Sequence, residues 1–274
     1  MRGLLFSILL FVLQLSPLAA RPLELTFNSV TASITSFPFQ AFLWLNDGTY
    51  ICGGSFLNAR FVLTAAHCAA EVDLSRRQVV FGGVQDPYDL RANGIQAQNL
   101  KNLTVYPGFK RNVSSSHDIA VLEVHSDFHV TQYVDFIKIY ANDNFSEHPD
   151  NQTVFYTGYG TRTDRAELQK LQMGQSQIVS NRTACRELWS RHPSITHVTD
   201  LDICTDSRTV FTTKGDSGGP LLWHYQDGSS SKWRQIGVNS RHNAVDRSLP
   251  DVFIRTSEYC EFIAQATRNT YKCS

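Results

Sequence analysis

The sequence predicts an all-β protein, built as antiparallel barrels or a sandwich and closed by one C-terminal helix. Three observations predict it. Short runs of β-branched and aromatic residues recur along the 274-residue chain, bounded by turn residues. Asn46-Asp47-Gly48 separates two such runs and is a strong hairpin signal. Only the stretch from Ser257 to Arg268 reads clearly as helix, with apolar residues at three- and four-residue spacing.

In chain order, the predicted strands include Phe39 to Leu45, Phe61 to Leu63, Gln78 to Phe81, Ile119 to Val124, Thr153 to Tyr156 and Gln235 to Val238. Many short strands at this spacing suit a barrel or sandwich. In the terminal helix, Tyr259, Phe262, Ile263 and Ala266 share one face. Thr256 or Ser257 is expected to cap it, and Glu258 stands against its positive end. A chain of 274 residues suffices for one large domain or two small ones, with a core that needs no metal.

Lys plus Arg equals Asp plus Glu, 25 to 25, which argues against a nucleic-acid partner. Arg2, the apolar run from Leu4 to Leu15, and Pro17 with Ala19-Ala20 read as a secretory signal over residues 1–20. The run is short for a membrane span, and no later segment is long and apolar enough for one. A buried N-terminal helix is the alternative. Secretion makes the six cysteines disulfide candidates. Five Asn-X-Ser/Thr sequons, at Asn102, Asn112, Asn144, Asn151 and Asn181, are glycosylation candidates in the same compartment.

Three motifs carry chemistry. "LTAAHC" holds His67, "HDIAVLEV" holds Asp118 and "GDSGGP" holds Ser217. Singly they read as a packed histidine, a turn aspartate and an ordinary loop. In this order and spacing, with "CGGSF" at Cys52 to Phe56, "YTGYG" at Tyr156 to Gly160 and "PLL" after the serine box, they resemble the chymotrypsin-like (trypsin-fold) serine proteases. The resemblance covers roughly Phe37 to Arg268.

The chemistry needs these residue types. A serine hydroxyl attacks poorly until a base takes its proton. Histidine titrates nearest neutral pH, and a buried carboxylate fixes its tautomer. The resemblance therefore implies Ser217 as nucleophile, His67 as general base then acid, and Asp118 as orienter. It implies an oxyanion hole from the N–H groups of Gly215 and Ser217. It implies two six-stranded antiparallel β-barrels, with the active site between them and a C-terminal α-helix. The corresponding division is a signal peptide at 1–20, a short propeptide at 21–25 and a protease domain at 26–274. Within that domain, the barrels span about 37–130 and 131–255, and the helix about 257–268. Cys52 would pair with Cys68 and Cys185 with Cys204, leaving Cys260 and Cys273 for each other.

Three departures from the family pattern stand out. Thr213 replaces a cysteine whose usual partner, expected after Ser240, is also missing. The family starts its mature chain with Ile-Val-Gly-Gly, whose new α-amino group pairs with the aspartate before the nucleophile, here Asp216. Counting back from Pro38 gives Leu25-Thr26-Phe27-Asn28 instead. The specificity pocket, expected around Phe211, Thr212, Lys214, Ser240, Arg241, His242 and Asp251, also differs. Phe211 reads either as a floor selecting small or apolar side chains or as a core plug. Asp251 either supplies charge for Lys or Arg substrates or is solvated. Lys214, Arg241 and His242 either make the cleft mouth basic or point to solvent.

The leading expectation is a secreted monomeric serine endopeptidase acting on protein or peptide substrates, with protein protease inhibitors as further partners. No metal, organic cofactor, nucleic acid or membrane partner is expected. Asp86 and Asp89 lie in a loop that binds calcium in some relatives, but the acidic pattern is incomplete and no required calcium is expected. The alternatives are a catalytically impaired homologue acting as a binding or regulatory protein, and a zymogen activated by an unusual cleavage or by a partner.

Overall fold

The computed structural model describes residues 29–110, 117–142, 152–161, 167–179, 182–191, 198–227, 230–243 and 246–274. The expected signal peptide and propeptide lie outside these residues, as do Asn112, Asn144, Asn151 and Asn181. A two-residue strand β1 (Val30–Thr31) and a 3-10 turn at Ile34–Ser36 open the fold. The next six strands are β2 (Gln40–Leu45), β3 (Tyr50–Phe56), β4 (Phe61–Thr64), β5 (Val79–Gly82), β6 (Gln96–Val105) and β7 (Ala120–Val124). They close into a barrel in the order β2-β3-β4-β7-β6-β5. The hairpin from β2 to β3 turns at Asn46, Asp47 and Gly48, all with positive φ, as the sequence signal requires.

Alternation along β2 shows how this half is built. Ala41, Leu43 and Leu45 point into the barrel core with Phe56, Leu63 and Leu122. Phe42 points the other way and meets Tyr159 of the second half edge-on, with ring centroids 5.2 Å apart. The strand is thus buried on both faces. A short helix α1 (Ala66–Ala69) follows β4.

The second half contains β8 (Lys138–Ile139), β9 (Thr153–Gly158), β10 (Gln172–Gln177), helix α2 (Arg182–Ser190), β11 (Asp202–Thr205), β12 (Pro220–Asp227), β13 (Ser230–Arg241) and β14 (Asp251–Arg255). With β1 they form an eight-stranded sheet of order β1-β10-β9-β12-β13-β14-β11, in which β8 pairs parallel to β13. Among the described residues the second half is thus an eight-stranded sheet, without the closure expected of a second six-stranded barrel. Its β10 and β11 margins meet at one bridge, Ile178–Thr205, beside a hydrogen bond from Val179 N–H to the Cys204 carbonyl.

The chain ends in a 3-10 turn (Thr256–Tyr259) and helix α3 (Cys260–Ala266). Of the expected apolar face, Tyr259 and Ile263 enter the barrel core, and Phe262 and Ala266 pack at its edge. The expected cap is not formed. The Thr256 hydroxyl is buried and donates to the Gln235 carbonyl, and neither the 3-10 turn nor α3 has a side-chain cap. Helix α2 is an addition to the sequence reading. Cys185, Leu188 and Trp189 fall at helical spacing in that segment and pack with Cys204 and Val252. Disulfides join Cys52–Cys68, Cys185–Cys204 and Cys260–Cys273, and no cysteine is free among the described residues. No helix of the described residues is long and apolar enough to cross a membrane.

Candidate active site

His67 sits on α1, directly after β4, and Asp118 stands at the head of β7, which pairs with β4. The pairing brings the two side chains together across a sequence gap of 51. His67 N–H donates to Asp118 Oδ1, and His67 Nδ1 lies 2.7 Å from Asp118 Oδ2. The Ser240 hydroxyl donates to the same Oδ2 at 2.6 Å. Asp118 is fully buried, whereas the His67 side chain is 26% exposed. With Nδ1–H committed to the carboxylate, the other ring nitrogen, Nε2, is left as the basic one.

Ser217 comes from the second half, in the turn before β12. Its carbonyl accepts Gly53 N–H from β3 at 2.8 Å, and Gly218 N–H donates to the Asn239 carbonyl on β13. Cys68 Sγ lies 3.7 Å from both His67 Nε2 and the Ser217 carbonyl oxygen, so the imidazole edge and the serine share one neighbour. Among the described residues, the one cluster of metal-ligating type is Cys52, His67 and Cys68, and both its sulfurs are in a disulfide.

The turn also orients the backbone. Thr161 N–H donates to the Lys214 carbonyl at 2.8 Å. In a trans peptide the carbonyl and the following N–H point in opposite directions, so Gly215 N–H faces away from Thr161. Gly215 has φ +103°, a region open to glycine and costly for other residues. Neither Gly215 N–H nor Ser217 N–H meets an acceptor among the described residues. Two unengaged donors in one tight turn can receive a developing oxyanion.

Asp216 points inward. Its Oδ1 accepts Gly160 N–H at 2.7 Å, and its Oδ2 accepts Thr213 N–H at 2.9 Å and the Thr213 hydroxyl at 3.2 Å. Burial pushes its carboxyl up to about 6, against the opposing pull of those hydrogen bonds.

The expected pocket residues take unlike positions. Phe211 is fully buried, with the Arg247 guanidinium 4.4 Å from its ring centroid. Asp251 is neither a free charge nor solvated. It is 1% exposed, takes Thr212 N–H on Oδ2 at 2.6 Å, and is pushed up to about 8 by burial. Burial therefore favours its protonated form at neutral pH. Arg241 neither lines a basic mouth nor meets solvent, because it turns into a buried pair with Asp202 at 3.1 Å. Burial and the neighbouring His67 push His242 down to about 4, so it is neutral at pH 7. Of the three expected basic residues, only Lys214 is exposed. Asp202 was not a candidate from sequence, and nothing local marks it as the partner of Arg241, 39 residues later. The roles of Thr161 and Gly160 were equally hidden, although the glycine spacing of "YTGYG" was a signal.

Elsewhere, Asp86 pairs with Lys170 at 3.4 Å. Asn102, the described sequon asparagine, is exposed on β6. It borders a cavity of about 800 Å³ that also meets Tyr106, His117 and Phe262, apart from Ser217. The protein-family model described as Trypsin matches residues 27–263 of the chain.

Proposed function

The chain belongs to the trypsin family of chymotrypsin-like serine proteases, and from that premise we propose that it is a secreted serine endopeptidase cleaving protein or peptide substrates. One observation carries the reading: Asp118 holds His67 through both its backbone N–H and its Nδ1, beside the turn that presents Ser217. His67 Nε2 takes the Ser217 proton as Oγ attacks the scissile carbonyl, and an acyl-enzyme forms. The N–H groups of Gly215 and Ser217 receive the oxyanion. His67 then protonates the leaving amine, and water repeats the sequence to release the acid. Buried Asp118 stabilises the imidazolium through both steps, and Ser240 helps hold its carboxylate.

A fluorophosphonate probe tests the reading. The wild-type secreted protein is expected to label, and Ser217→Ala is expected to be silent. Failure of the wild type to label, before and after limited trimming of its N-terminal segment, would overturn the enzyme reading. N-terminal sequencing of the secreted chain checks removal of residues 1–20. Glycosidase treatment with mass analysis checks the sequons.

A further inference from the structure

We propose that Thr213 and Gly160 anchor Asp216 so as to set the oxyanion turn without a free N-terminal amine, which makes Thr213 a positioning residue. The proposal rests on the endopeptidase reading above. Three observations on this chain lead to it.

A buried carboxylate must find donors or a cation. Among the described residues Asp216 finds three donors, Gly160 N–H, Thr213 N–H and the Thr213 hydroxyl, and no cation. Thr213 stands where the resembled family carries a cysteine, and a sulfur held in a disulfide donates no proton. The departure from that pattern thus adds a donor to this carboxylate. The same chain carries no recognisable activation sequence at Leu25 to Asn28.

The cradle is shaped for the carboxylate. A Cβ on Gly158 would strike Asp216 Oδ1, and one on Gly160 would strike both Asp216 Oδ2 and Thr213 Oγ1. The adjoining Thr161 N–H holds the Lys214 carbonyl, which turns Gly215 N–H the other way. Residues 160–161 therefore grip the turn at two points, the Asp216 carboxylate and the Lys214–Gly215 peptide. The titratable groups that feel the Asp216 charge are Asp251 on β14 and Tyr156 on β9, both raised by it. Deleting one donor leaves the carboxylate harder to ionise, so an acid limb governed by Asp216 moves to higher pH.

The test measures fluorophosphonate labelling rates against pH for four secreted proteins. These are the wild type, Thr213→Val, Thr213→Ser, and the wild type carrying a folded N-terminal extension that blocks any free amine near residues 21–28. The extended protein is expected to label at the wild-type rate. Thr213→Val is expected to label roughly 10-fold more slowly at pH 7.5, the kinetic equivalent of one charge-assisted hydrogen bond. Its acid limb is expected to move upward, and Thr213→Ser to recover most of the rate. An extended protein that stays inert until trimmed overturns the proposal, as does a Thr213→Val protein with wild-type rate and pH limb. If Thr213→Val fails to fold by near-UV circular dichroism, Thr213→Ser and the extended protein still decide. If the wild type labels in no form, the endopeptidase reading falls, and this inference with it. Labelling confined to the trimmed form overturns this inference alone.

Discussion

Asp118 takes three hydrogen bonds, and each donor does something different. The His67 backbone N–H fixes where α1 begins relative to β7, the bond to Nδ1 fixes the imidazole tautomer, and Ser240 takes the second lone pair of Oδ2. Ser240→Ala is expected to lower kcat/KM roughly 10-fold, in line with one hydrogen bond to a charged group. An unchanged kcat/KM would assign Ser240 to the pocket wall alone. Asp251 makes a second residue-level prediction. Its unfolded carboxyl ionises near 3.8, whereas the folded one keeps its proton to about 8. Between those values the unfolded state binds fewer protons, so stability falls as pH rises. Asp251→Asn is expected to gain Tm relative to wild type as pH goes from 5 to 8.5, read by thermal melts. A pH-independent difference would contradict the raised pKa. At this scale the sequence showed identities better than environments. His67, Asp118 and Ser217 announce themselves by motif. The burial of Asp251 and the Arg241–Asp202 pair do not, because they depend on β14 pairing with both β11 and β13, and strand pairing is a long-range choice.

Elements were legible where their period was clean. Strand β2 was predicted within one residue, and the turn after it was marked by Asn-Asp-Gly. Helix α2 is not legible in the sequence, although Cys185, Leu188 and Trp189 carry its spacing, because a nine-residue helix offers only about two and a half turns of pattern. The terminal helix was legible by its apolar face but not by its start. Residues 256–259 take 3-10 geometry, so the expected cap hydroxyl turns into the core. Two ties hold that end. Cys260–Cys273 closes the tail, and Arg268 with Lys101 holds the Glu123 carboxylate down to about 2. Replacing both Cys260 and Cys273 by serine is expected to cost about 2–4 kcal/mol, or roughly 4–15 °C in Tm. Calorimetry checks this, and an unshifted Tm would show that packing of Tyr259 and Ile263 suffices.

For the molecule as a whole, the candidate site exists only where two halves meet. His67 and Asp118 belong to the barrel, and Ser217 to the sheet. Buried polar contacts cross the joint: the Thr157 hydroxyl donates to Gln40 Oε1 at 2.6 Å, and the Ser55 hydroxyl to Gln235 Oε1 at 2.6 Å. Gln40→Leu strands the Thr157 hydroxyl in the interior. It is expected to cost about 1–3 kcal/mol and to lower the probe-labelling rate together with Tm. A loss of stability with full labelling would show that the remaining contacts across the joint, Ser55 with Gln235 and Gly53 with Ser217, keep the halves in register.

The connector between the halves carries one more consequence, which concerns time. Tyr271 Oη donates to the Ile137 carbonyl and accepts Ile139 N–H, across more than 130 residues of chain. The strands of the barrel are β2 to β7, one continuous stretch ending at Val124, so they can pair before the rest of the chain is made, while Tyr259 and Ile263 complete the core later. The connector cannot lock until Tyr271 has emerged. In vectorial synthesis the joint is thus fixed by a residue made more than 130 positions after the connector it holds.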